Sequence, residues 1–156
     1  MNTEVTEEIT VKQYAISRNA WESALLELNR EMPVYAPVIR WQNLDYEPIT
    51  RENLALVRYN TPKPVSPLKL FLLPVKENVV RESDASKPFI VIGSPACDLY
   101  ALDLLDLFYL NEDYIDPYYQ IRRKNMILIG TDCHSVMEHC HCTSYGLNPF
   151  PVKNQD

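Results

Sequence analysis

The chain has 156 residues, 46% hydrophobic and 23% charged, enough apolar material for one folded domain with a core and too much for a disordered tail. Its formal net charge of −6 argues against a nucleic-acid partner, because phosphate binding needs a basic surface. No apolar run approaches the ~20 residues that span a bilayer, and the acidic start, Met1 to Glu8, lacks the apolar segment of a secretory signal; a reducing, cytoplasmic setting is the expectation.

The first element is a helix over residues 19–32. Asn19 stands as N-cap with Glu22 three residues on, as in a capping box. Trp21, Leu25, Leu28 and Met32 recur at helical spacing and form a core-facing stripe.

Residues 34–39 and 44–49 read as two strands joined by a turn near Gln42 and Asn43. Leu44 and Tyr46 alternate with Asp45 and Glu47, as in a half-exposed pair, and Pro33, Pro37 and Pro48 push both strands toward a sheet edge. The stretch 61–67, with its prolines, reads as an ordered loop. Residues 68–73 fit a short helix or a strand equally well, 77–82 a strand, and 83–87 a polar turn.

Residues 89–93, Phe-Ile-Val-Ile-Gly, form a short apolar run of the kind that becomes a buried central strand. Residues 98–110 follow as an apolar helix whose length suits a crossover between parallel strands. An aromatic and basic stretch leads through Arg122, Arg123 and Lys124 to a second run, 126–130, Met-Ile-Leu-Ile-Gly. Residues after Thr131 read as loop. The fold expected is α/β: a small mixed or parallel sheet with a crossover helix, an N-terminal helix and an edge hairpin. Residues 1–150 make one domain and 151–156 a tail, either disordered or the point where a longer protein has been cut.

The four cysteines all follow these two look-alike runs: Cys97 after the first, and Cys133, Cys140 and Cys142 after the second. Parallel neighbours would place both loops at the carboxyl edge of the sheet, where open α/β sheets hold ligands. Four thiols gathered in a reducing compartment point to metal before disulfides. A [4Fe–4S] cluster takes four thiolates, and Cys97, Cys133, Cys140 and Cys142 are its expected ligands. Zinc is the competing metal, although structural zinc sites favour C-x₂₋₄-C spacings, and none is present. Free thiols acting in redox sensing through Cys140 and Cys142 are a third reading.

The helix after Cys97 would aim its positive amino terminus at the same crevice, where negative charge is favoured. Asp98 is expected to cap that helix. His134, His139 and His141 alternate with the cysteines and are read as exposed, or as tuning a cluster through hydrogen bonds, rather than as ligands. Arg122, Arg123 and Lys124 would either offset cluster charge or form a solvated flank. Asp103 and Asp106, three apart, read as a solvated helix edge. No Walker-type or dinucleotide-binding glycine loop is present, and no nucleophile elbow or triad.

The ordered set Gly93-Ser-Pro-Ala-Cys97-Asp98-Leu, Asp116-Pro-Tyr-Tyr-x-x-Arg122-Arg123 and Gly130-x-x-Cys133-x₆-Cys140-x-Cys142-Thr-Ser resembles the amino-terminal half of sulfhydrogenase beta subunits and of the A subunit of anaerobic sulfite reductase. Val34-Tyr-Ala-Pro-Val and Pro67-Leu-Lys-x-Phe71-Leu-x-Pro74-x-Lys76-Glu77 are similar too, so the resemblance runs from about Trp21 to about Phe150. It implies an iron–sulfur electron-transfer subunit of a cytoplasmic oxidoreductase complex, of hydrogenase or sulfite reductase type, that is not catalytic alone. Its implied partners are a flavin- and NAD(P)-binding subunit and a catalytic subunit. The cluster role carries over to the four cysteines only. Two departures stand out. Pro95 occupies a position where the family usually has Arg, and the family continues into a ferredoxin-like half that this sequence does not include. The alternative reading is a structural docking module of a redox complex, metal-free or zinc-bound.

Overall fold

A computed structural model describes residues 12–61, 63–73 and 86–156. The strand expected over 77–82 and most of the polar turn after it lie outside these residues. Helix α1 spans Arg18–Glu31, and its cap is Ser17, two residues before the expected Asn19. The Ser17 hydroxyl accepts the Ala20 N–H at 3.2 Å, which satisfies one of the unpaired donors of the first turn. Glu22 is thereby released from the capping role and pairs instead with Arg18.

The sheet has four strands in the order β2-β1-β3-β6. Strands β1 (Val34–Arg40) and β2 (Asn43–Pro48) form an antiparallel hairpin. Trp41 turns its corner with φ +59° and an almost wholly exposed side chain. Strand β3 (Phe89–Pro95) lies parallel to β1 and to β6 (Met126–Thr131). The hairpin lies at the sheet edge as expected, with β2 outermost and β1 between β2 and β3. Pairing with β3 stops after Val34 and Tyr35, so Pro37 has no ladder bond to β3 to break. Asn29 locks α1 onto this hairpin, accepting the Val34 N–H at 2.9 Å and donating to the Ile49 carbonyl at 3.0 Å.

Helix α2 (Ala96–Tyr109) carries the chain away from β3. A two-stranded hairpin of β4 (Leu110–Asn111) and β5 (Tyr114–Ile115) follows, then α3 (Pro117–Asn125), which leads straight into β6. Asp116 caps α3 by accepting the Tyr119 N–H at 2.8 Å, with Pro117 at the first helical position. The stretch 68–73, undecided in sequence, opens as a 3-10 turn over Leu68–Phe71.

Every residue of β3 is buried. Its side chains alternate between two cores, one on each face of the sheet. Ile90 and Ile92 join Leu25, Val34, Ala36 and Val38 on one face, with α1 packed against them. Phe89 and Val91 join Leu99, Leu102, Tyr119 and Leu128 on the other, where α2 and α3 pack. Each such aliphatic side chain contributes about 1.5–3 kcal/mol on full burial. The layered α/β architecture therefore follows from two apolar faces on one short strand.

The closing residues lie along β6. The Asp156 N–H donates to the Leu128 carbonyl and the Leu128 N–H donates to the Asp156 carboxylate, both at 2.9 Å. Asn154 donates to the Leu99 carbonyl at 2.9 Å and to Asp103 at 2.7 Å, and Lys153 pairs with Asp103 while its ammonium sits over the Tyr100 ring.

Candidate metal centre

Strands β3 and β6 are adjacent and parallel, and both extend beyond the glycines at which they were expected to end. Their last pair is Pro95 with Thr131, and a cysteine stands two residues past each, Cys97 and Cys133. The register slips by one residue at Gly93, between the Ile92 and Ser94 pairs. Gly93 takes φ +75°, and a β-carbon there would lie 2.7 Å from the Pro37 ring. Only glycine meets both demands. The bulge falls immediately before the turn into α2, so it sets the direction in which Cys97 leaves the sheet.

After β6 the chain is held on both sides. The Cys133 N–H donates to the Pro149 carbonyl at 2.8 Å, and the His134 N–H donates to the Asn60 carbonyl at 3.3 Å. The Cys140 N–H reaches the Met137 carbonyl at 3.0 Å, and the Met137 N–H points back to the Cys140 Sγ at 3.3 Å. Cys142 opens a 3-10 turn ending at Tyr145, and the Leu147 N–H closes that turn on the Cys142 carbonyl.

Cys97, Cys133, Cys140 and Cys142 all line one pocket of about 730 Å³. All four are free and partly buried. The Tyr100, Leu104, Val136, Tyr145 and Leu147 side chains give the pocket a largely apolar wall. Burial pushes the Cys97 thiol up to about 11, with the Asp98 carboxylate adding to the rise. Burial also raises Cys133, helped by Cys140 and Cys142 beside it. These influences run from Cys97 to Cys133, and from Cys133 to the other two.

The donor set fits an iron–sulfur group in number and chemistry: four soft sulfur ligands. Its arrangement is open. Among the described residues, no three His, Cys, Asp or Glu side chains are drawn together as a ready ligand group. The thiols share a pocket without forming a closed cage.

Asp98 does not cap α2. The cap position is Pro95, which has no side-chain hydrogen bond, and Asp98 lies inside the first turn. Burial raises its pKa against the lowering pull of Lys63 and of the Leu68 backbone N–H. Buried Ser94, under the same turn, has its hydroxyl 3.4 Å from the Tyr46 hydroxyl. The histidines are exposed; His134 and His141 reach the pocket lining, while His139 offers its carbonyl to Lys63 at 3.1 Å. Arg122 and Arg123 serve elsewhere. Arg122 donates to the Phe71 carbonyl and lies over the Phe89 ring, and Arg123 pairs with Asp106.

Three neighbours of the pocket had no role in the sequence reading: Asn60, Lys63 and Pro149. The available signal was Asn60-Thr61-Pro62, a residue tolerant of left-handed backbone just before a proline loop. It marks a turn without saying what the turn touches.

The fold and site define a class: an α/β domain that presents four thiols at the carboxyl edge of its sheet, one from the first turn of α2 and three from the segment after β6. The chain is similar to sulfhydrogenase 2 subunit beta of Pyrococcus furiosus, with 33% identity over 120 residues, covering 72% of this chain and 35% of that protein. The chain thus spans about a third of the length of that relative. No protein-family model matches, and no solved structure does.

Proposed function

We propose that this chain is an electron-transfer domain of a multi-subunit oxidoreductase, of the hydrogenase or sulfite reductase type, and that Cys97, Cys133, Cys140 and Cys142 hold one [4Fe–4S] cluster. The observation that carries the reading is that all the cysteines of the sequence line a single pocket at the ends of two paired parallel strands. The similarity to a subunit of a sulfhydrogenase supports it. The cluster would supply one-electron chemistry. The chain's own part is to orient the sulfurs, through the Met137 N–H on Cys140 and the bracing of Cys133 by Pro149.

The partners that follow are a flavin- and NAD(P)-binding subunit and a catalytic subunit, and the domain is not catalytic by itself. Among the described residues no helix is long and apolar enough to cross a membrane.

Anaerobic reconstitution followed by iron and acid-labile sulfide analysis tests the assignment. About four of each per chain, with a visible chromophore bleached by dithionite, is the expected result. Cys97→Ser and Cys140→Ser should each lower the iron content. Stoichiometric zinc without a chromophore would replace the reading with a structural docking module, and a chain that takes up neither metal would remove it.

A further inference from the structure

Lys63 departs from every expectation about where positive charge would meet the cysteines. The basic residues of α3 were the obvious source, and the two arginines there are engaged elsewhere. Lys63 comes instead from the proline loop and lines the pocket beside all four thiols. Among the lining residues it is the one Lys or Arg. Its ammonium donates to the His139 carbonyl at 3.1 Å, across 76 residues of sequence. Its charge also acts on both Cys97 and Asp98. One side chain therefore touches the loop that carries Cys140 and Cys142 and faces the turn that carries Cys97.

The backbone at Lys63 is unusual as well. It takes φ +52°, a region that side chains other than those of Gly, Asn and Asp seldom occupy. Such conformations persist where the surroundings over-determine them, and they concentrate at functional sites. Asn60, three residues earlier, is also left-handed, with φ +61°. Asn60 meets the segment after β6 through its backbone carbonyl, which accepts the His134 N–H, and Lys63 meets it through its long side chain.

We propose that Lys63 is the positioning and charge-compensating residue of the cysteine pocket, holding the Cys140–Cys142 loop against the strand-end turn and supplying the positive charge that faces bound thiolates. The inference rests on the cluster reading for its charge role and stands without it for its positioning role. Four thiolates around iron carry net negative charge. Adding an electron makes that charge larger, so a fixed cation nearby favours the reduced form. The Lys63 side chain is exposed, so solvent screens part of that field.

The test compares wild type, Lys63→Met and Lys63→Arg in two measurements. In metal-free protein, hydrogen–deuterium exchange of the backbone amides of 133–142 reports the loop. Lys63→Met should exchange at least several-fold faster there, with β3 and α1 unchanged, and Lys63→Arg should restore protection. Equal exchange in all three proteins overturns the proposal whatever the metal content. In reconstituted protein, a redox titration should move the midpoint of Lys63→Met to lower potential by a roughly tenfold change in the reduction equilibrium, about 59 mV for one electron. Lys63→Arg should stay near wild type. An unchanged midpoint at equal iron content also overturns the proposal. Absence of iron from wild type itself refutes the cluster reading alone, and the exchange measurement then decides the positioning role.

Discussion

Asn60 and Thr131 hydrogen-bond each other in both directions: the Asn60 backbone N–H donates to the Thr131 hydroxyl at 3.2 Å, and that hydroxyl donates to the Asn60 side-chain carbonyl. The pair joins segments 71 residues apart in sequence. Thr131 closes β6, so the contact fixes the point at which the Cys133 loop departs. Asn60→Ala removes the acceptor and places alanine at φ +61°. The lost hydrogen bond and the left-handed backbone together should cost about 1–3 kcal/mol. Asn60→Gly loses the same bond but meets no backbone penalty, so it should be the milder variant. Chemical denaturation midpoints measure both. If the glycine variant is the less stable one, the backbone part of the argument is wrong.

The thiol of Cys97, pushed up to about 11 from an ordinary 9.0 by burial and by Asp98, should be the slow cysteine of the metal-free protein. The sign follows from the protonated form being the favoured one. At pH 8 its thiolate fraction falls about a hundredfold relative to an unperturbed thiol, and the greater intrinsic nucleophilicity of a more basic sulfur recovers about a tenfold share. Alkylation by iodoacetamide should thus run about tenfold slower at Cys97 than at an unfolded cysteine and accelerate steeply as pH rises toward 11. Mass-spectrometric mapping of the four sites reads this directly. Cys97 labelling first would mean that its burial is not the dominant influence.

The site's framework was legible because it rests on short-range signals. The two apolar runs ending in Gly93 and Gly130 gave adjacent parallel strands, and their loops gave Cys97 and Cys133 at one edge. Asp98 was misread because a carboxylate at the start of a helix looks like a cap, whereas the cap position is Pro95 and Asp98 lies inside the first turn. The hairpin was placed at the sheet edge, where it lies, although its prolines do not make β1 the outermost strand. Here the bulge at Gly93 makes room for Pro37 inside the sheet. Lys63 and Asn60 were invisible for a different reason. Their partners, His139 and Thr131, are more than seventy residues away, and no local pattern encodes such contacts.

Gly130 makes a separate prediction about the closing residues. A β-carbon at this position would lie 2.5 Å from the Gln155 side-chain oxygen and 2.6 Å from the Pro151 ring. Gln155 can swing aside, but the proline ring has no such freedom. Gly130→Ala should therefore lift residues 151–156 from β6 at a cost of about 1–3 kcal/mol. The Leu128 amide, which donates to Asp156, should lose its protection from exchange. Retained protection would show that the proline has been accommodated by a shift of β6 instead.

Acid should release the same segment by another route. Hydrogen bonds from Lys153 and then from Asn154 lower the Asp103 carboxyl below its ordinary 3.8. A carboxyl held more acidic in the folded chain contributes stability above its unfolded pKa and loses that contribution as pH falls through the folded value. The attachment of residues 151–156 to α2 should accordingly be pH-independent near neutrality and weaken only below about pH 4. Asp103→Asn keeps an acceptor for Asn154 and removes the charge that Lys153 neutralises. It should loosen the segment modestly at pH 7, because the pair is largely exposed and screened by solvent, and it should flatten the acid response. Exchange of the Leu128 and Asp156 amides across pH 2.5–7 compares the two proteins. If Asp103→Asn responds to acid as steeply as wild type, the sensitivity does not belong to Asp103.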